Sequence, residues 1–183
     1  MQAARGASLN DSGEDDVPVD TAARRRALII FGTVAAVAYV TDLVTKVLAV
    51  ARLDGRDPVP VVGEILQLTL GRNPGAAFST GTSYTVLLTL VEDGAVVVVL
   101  FLARRLVSPL WAFGLGALLG GVLGNLTDRL FREPGFGRGH VIDFLELPNW
   151  PVFNVADICI NVAAGVIILQ ALRGVSHDGV ARS

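Results

Sequence analysis

The apolar residues of this chain are gathered into four blocks. Positions 27–51, 84–103, 106–126 and 152–172 are runs of mostly Ala, Val, Leu, Ile, Phe and Gly, with few charges. Each is about 20 residues or slightly more, and at ~1.5 Å of rise per residue such a helix crosses a hydrocarbon core of ~30 Å. No water reaches that core, so each block must satisfy its own backbone N–H and C=O groups, as a helix does. A soluble bundle would need polar faces at helical period, and the blocks mostly lack them. The pattern predicts an all-α integral membrane protein with four transmembrane helices.

The segments between the blocks add detail. In the long loop 52–83, Leu66, Leu68 and Leu70 alternate with Gln67 and Thr69, the period of a strand, so a small β-rich region is expected on the membrane surface. The loop 129–151 is also long and rich in Gly and Pro, whereas the connection near 104–109 is short. Arg24-Arg25-Arg26 abuts the first block and, by the positive-inside rule, holds the N-terminus in the cytoplasm. Four spans return the C-terminus to that side, where Arg104, Arg105 and Arg173 also fall. Total Arg counts do not decide orientation, because the outer loops carry as many; the tight flank does. Residues 1–23 hold Asp11, Glu14, Asp15, Asp16 and Asp20 among Gly, Ser and Pro and read as a disordered acidic tail. The expected organisation is this cytoplasmic tail, a membrane domain over 24–175, and a cytoplasmic tail over 176–183. Gly116, Gly120 and Gly124, with Gly121 beside them, are small residues at helical spacing and predict close helix packing.

Composition narrows the function. The chain has 183 residues, 52% of them hydrophobic, and its mean hydropathy is +0.57. A net charge of −2 leaves no footprint for nucleic acid. Cys159 is the single cysteine, which excludes an intramolecular disulfide, and His140 has no second His nearby to complete a metal site.

The polar residues inside the blocks carry the chemical signal. Asn154, Asp157 and Asn161 share one helical face at spacings of three and four; Asn125 and Asp128 are three apart at the outer end of the third block; Asp42 and Lys46 are four apart in the first. Asp143 precedes the fourth block. On the topology above, all of these lie toward the outer leaflet. Interhelical hydrogen bonding or snorkelling accounts for some of them, and Asp42 with Lys46 fits a purely stabilising pair. An intramembrane carboxylate with two amide neighbours points to function. Glu92 and Asp93, in the middle of the second block, instead suggest a small proton-coupled transporter or channel, although a pore needs polar residues through its full depth.

Five segments in order, "TDLVTK" (41–46), "NPGAAFS" (73–79), "GGVLGNLTDR" (120–129), "GHVIDF" (139–144) and "FNVAD" (153–157), resemble bacterial lipoprotein signal peptidase, or signal peptidase II, over about residues 27–172. The resemblance implies an aspartic membrane endopeptidase of the bacterial cytoplasmic membrane. It would cleave lipid-modified prolipoproteins just before the diacylglyceryl-bearing cysteine, at the outer face among membrane phospholipids, without metal or other cofactor. By motif, Asp143 and Asp157 take the place of the catalytic pair. Asp42, Lys46, Asn73, Gly75, Asn125, Asp128, Arg129 and Asn154 fall on supporting or substrate-binding positions. Leu43 stands where the first motif often has Gln, Ile158 where Ser is usual, and "FREPGFGRG" (131–139) lengthens the segment before Asp143.

Overall fold

The computed structural model describes residues 21–75 and 82–178. Its elements in order are α1 (Thr21–Leu53), β1 (Val59–Val62), β2 (Leu66–Asn73), α2 (Thr82–Ala103), α3 (Pro109–Phe131), β3 (Val141–Glu146) and α4 (Val155–Leu172). All four helices are long and apolar enough to cross a membrane, and the strands form one antiparallel sheet in the order β1-β2-β3. This is the predicted four-span architecture with a small sheet. The expected acidic tail lies almost wholly outside the described residues, except that Thr21–Ala23 already belong to α1.

α3 is the hub, packing against α1, α2 and α4. Its glycines are the reason. A Cβ on Gly116 would stand 2.7 Å from the Phe31 carbonyl oxygen, and one on Gly120 would stand 2.6 Å from both the Ala35 carbonyl oxygen and the Ala38 Cβ. On the opposite side, a Cβ on Gly121 would stand 2.7 Å from the Ala156 carbonyl oxygen. The backbones of α1 and α4 thus approach α3 where it has no side chains, which is the packing the spacing predicted. The outward faces of the other helices stay apolar, with Val37, Val44, Leu87, Val97, Phe101 and Ile168 exposed. Such faces belong against acyl chains.

Several helix ends differ from the hydropathy blocks, those of α3 and α1 most of all. α3 starts at Pro109, after Ser108 at the cap position, where proline's missing N–H costs nothing. It then runs past residue 126 to Phe131, because its polar last turns are buried against other elements; Arg129, expected in a loop, is helical and only 6% exposed. α1, at 33 residues, is ~50 Å long and overshoots a ~30 Å core. One overshoot carries Arg24–Arg26, and the other supports the sheet.

The sheet rests on the outer end of α1, where Ile142, Phe144, Leu68 and Leu70 pack with Ala49 and Leu53. β2 is the strand the alternation predicted. β3 was expected to be loop. It pairs with β2, Gly71 opposite Asp143, and its period of two sends Ile142 and Phe144 into this core and Asp143 to the other face. Beyond a turn with Asn149 at φ 59°, the chain returns so that Phe153 bonds with Leu145, at 2.9 Å N–H to O in one direction and 2.8 Å in the other. That return sets the start of α4 beside Asp143. The 131–139 segment folds onto the end of α3: the Gly139 N–H donates to the Arg129 carbonyl at 2.9 Å, and the His140 N–H donates to that of Glu133 at 3.0 Å. A Cβ on Gly139 would collide with the Asp128 carbonyl oxygen.

At the opposite end, Arg24 donates to the Arg104 carbonyl oxygen, Trp111 donates to that of Val175, and His177 accepts from the Val107 N–H at 3.0 Å. The first residues beyond α4 are thereby strapped across the α2–α3 turn.

Candidate active site

Lys46 is fully buried on α1 and organises the polar interior. Its ammonium forms ion pairs with Asp42 Oδ2 at 2.7 Å and Asp128 Oδ2 at 3.0 Å and donates to Asn125 Oδ1 at 2.8 Å. Three oxygens, one from α1 itself and two from α3, thus surround the buried charge. The remaining Asp42 oxygen accepts the Ala156 N–H at 2.8 Å, one of the donors a helix start leaves free. Asp128 also accepts the Ile142 N–H at 3.1 Å and pairs with Arg132. One buried charge cluster therefore joins α1, α3, β3 and α4.

From this cluster the amides fix the rest. Asn125 must turn its Oδ1 to Lys46, which only donates, so its Nδ2 faces Asp157 and donates to Oδ1 at 3.0 Å. Asn154 caps α4: its Oδ1 accepts the Asp157 N–H at 2.9 Å, while Asp157 Oδ2 accepts the Asn154 N–H at 3.2 Å. That bond fixes the Asn154 amide, so its Nδ2 reaches Asp143 Oδ1 at 2.7 Å and Asn125 Oδ1 at 3.2 Å. Asn73, at the end of β2, accepts the Gly75 N–H at 2.8 Å and donates to Asp143 Oδ2 at 2.9 Å. Asn161 donates to the backbone carbonyl of Asp157, not to its carboxylate.

Asp143 and Asp157 open onto one cavity of about 470 Å³, whose wall includes Asn73, Phe153, Ile158 and Val162. Burial pushes the Asp143 carboxyl up to about 6, and the charge of Asp157 pushes the same way; the Asn73 and Asn154 N–H groups pull it back only in part. Two carboxyl groups on one cavity, each held by fixed amide donors, can share one proton and activate a water between them.

Asp42, Lys46, Asn73, Asn125, Asp128, Asp143, Asn154 and Asp157 are joined by these contacts, with Gly75 attached through its backbone N–H, whereas the Arg129 side chain turns to Glu92 on α2. A profile matching residues 34–173 carries the description signal peptidase (SPase) II. The chain belongs to the signal peptidase II family. It is 50% identical over 165 residues to the lipoprotein signal peptidase of Mycobacterium avium (strain 104), covering 90% of each chain. It is 51% identical over 172 residues to that of Mycolicibacterium smegmatis (strain ATCC 700084 / mc(2)155), covering 93% of this chain and 71% of that one. A bacterial membrane enzyme solved by the in meso method at 1.9 Å resolution has the same fold, with a TM-score of 0.69 at 22% identity, over 77% of this chain and 91% of that one. As a signal peptidase II, the protein is a multi-pass membrane protease.

Sequence reasoning missed three partners. Arg132 lies four residues after Asp128, a legible helical spacing obscured because α3 was expected to end earlier. The Ala156 N–H has no side-chain signature at all. Glu92, which lies in the middle of the second block and suggested a transporter, pairs with Arg129 at 3.0 Å and lies within electrostatic reach of Asp157 and Lys46. Neither that pairing nor the family supports a transporter.

Proposed function

We propose that Asp143 and Asp157 are the catalytic pair of an aspartic endopeptidase. It removes signal peptides from diacylglyceryl-modified prolipoproteins by cleaving just before the lipidated cysteine. The observation that carries this reading is the amide bridge: Asn154 holds both carboxylates on one cavity at the sheet end of the bundle. A substrate anchored by its acyl chains presents its scissile bond at that height. Asp143, the group that burial drives to keep its proton, donates to the carbonyl oxygen as Asp157 takes a proton from the attacking water. On collapse, Asp157 returns its proton to the leaving amine, Asp143 regains one from the hydroxyl, and both groups end as they began. Each carboxylate oxygen has two lone-pair directions, so the amide bonds leave room for these transfers.

The Arg24–Arg26, Arg104–Arg105 and Arg173 ends lie opposite the sheet and the site. The positive-inside rule then places both termini in the cytoplasm of a bacterium and the site at the outer face of its cytoplasmic membrane. Asp143→Asn and Asp157→Asn are each expected to abolish turnover of lipidated substrate by purified, folded enzyme. The double variant should be little worse, because paired groups act as a unit, and lipidated substrate should still bind. Turnover of folded Asp143→Asn within a few fold of the parent would remove Asp143 from the pair.

A further inference from the structure

The Glu92–Arg129 pair stands apart from the Lys46 cluster. Arg129 Nε meets Glu92 Oε1 at 3.0 Å, with the side chains 7% and 17% exposed. Neither group is saturated: Glu92 Oε2 and Arg129 Nη1 are buried without a hydrogen-bond partner among the described residues. A buried cation holding an unused donor turns to whatever anion is nearest. Arg129 is one helical turn beyond Asn125, the residue that donates to Asp157. The charged groups facing Glu92 are Arg129 from α3, Lys46 from α1 and Asp157 from α4. Lys46 is committed to Asp42, Asp128 and Asn125. Glu92 holds the guanidinium, and Asp157 is the other carboxylate within electrostatic reach of Glu92.

We propose that Glu92 is a positioning residue for the cleavage reaction: its carboxylate anchors the Arg129 guanidinium on the α2 side of the site and keeps it from pairing with Asp157. An Arg129–Asp157 ion pair would occupy the lone pairs that must accept the proton of the attacking water, so turnover would fall while the acyl-anchored substrate still bound. α2 packs chiefly on α3, and near the site it is tied across by this pair and by Thr89, which donates to the Gly137 carbonyl at 3.1 Å. Glu92 thus gives the second span a part in the cleavage chemistry. This inference rests on Asp157 being one of the catalytic pair.

The test is Glu92→Gln, which keeps the shape and removes the charge, measured for kcat and KM on a lipidated prolipoprotein peptide in detergent. The expected result is a kcat lowered ~10-fold or more with KM within ~2-fold, the pattern of a lost transition-state contribution. In an Arg129→Gln background, read under single-turnover conditions at high enzyme so that slow cleavage is visible, adding Glu92→Gln should change the rate by less than ~2-fold. A merely structural Glu92 would lower the thermal midpoint and leave kcat of the folded fraction unchanged, and that result overturns the proposal. So does an equal loss from Glu92→Gln with or without Arg129. If Glu92→Gln alone does not accumulate, the charge-free double variant is compared with Arg129→Gln: matching rates uphold the proposal and a slower double variant overturns it. Full turnover by Asp157→Asn would instead sink the carboxylate-pair reading, a result separable from any outcome at Glu92.

Discussion

Asn125, Asn154 and Asn73 each turn their carbonyl oxygen to a group that can only donate, which leaves their N–H groups for the two carboxylates. The site is thereby oriented without any choice of amide flip. The sequence placed Asn154, Asp157 and Asn161 on one face, and Asn154 and Asp157 do converge. It could not tell that Asn154 would bridge both carboxylates, because that depends on the return of the chain through Phe153. Asp143 gives a direct readout. In an unfolded chain an aspartate releases its proton near pH ~3.9, whereas folded Asp143 holds it to about 6. Between those values the folded protein binds a proton the unfolded chain lacks, so this group's contribution to stability falls as pH rises through the window. Thermal unfolding in detergent should show Asp143→Asn gaining stability over the parent as pH rises from ~4 to 6. A difference that stays flat across that range would place the titration elsewhere.

At the level of elements, the four spans were legible because a lipid-facing helix is apolar nearly all round, and the Gly116–Gly120–Gly124 spacing marked α3 as the helix others approach. The end of α3 was not legible, because hydropathy stops where polar residues begin even when those residues are buried. β3 was hidden for a related reason: Val141–Phe144 is buried throughout, so it shows no alternation of exposed and buried positions. The packing is testable. Gly120→Leu would force α1 from α3 and spread the Lys46 cluster, at a cost of ~1–3 kcal/mol or more, with a lowered thermal midpoint and reduced cleavage. Gly94→Ala on α2, where an added Cβ meets nothing within 4 Å, should leave both unchanged. A Gly120→Leu protein as stable and active as the parent would mean that the α1–α3 contact is not this close.

For the whole molecule, the asymmetry between its ends is the organising fact: sheet, cavity and carboxylates at one end, arginine flanks and the His177 strap at the other. In a Cys159→Ser background, a cysteine at Glu64, exposed between β1 and β2, should react with a membrane-impermeant maleimide from outside cytoplasmic membranes. A cysteine at Arg104 should react only after the membrane is opened. The reverse pattern would invert the proposed orientation. The sequence alone determined the number of spans, the strand at Leu66–Leu70, the helix contacts through glycine and which carboxylates and amides share a helical face. These follow from solvation and spacing, which act locally along a chain. The tertiary structure decided which polar groups meet. Lys46 joining α1 to α3, Asn154 joining β3 to α4 and Glu92 joining α2 to Arg129 are contacts between segments far apart in sequence, and inside a bilayer a buried charge settles on whichever partner the packing of the helices brings within reach.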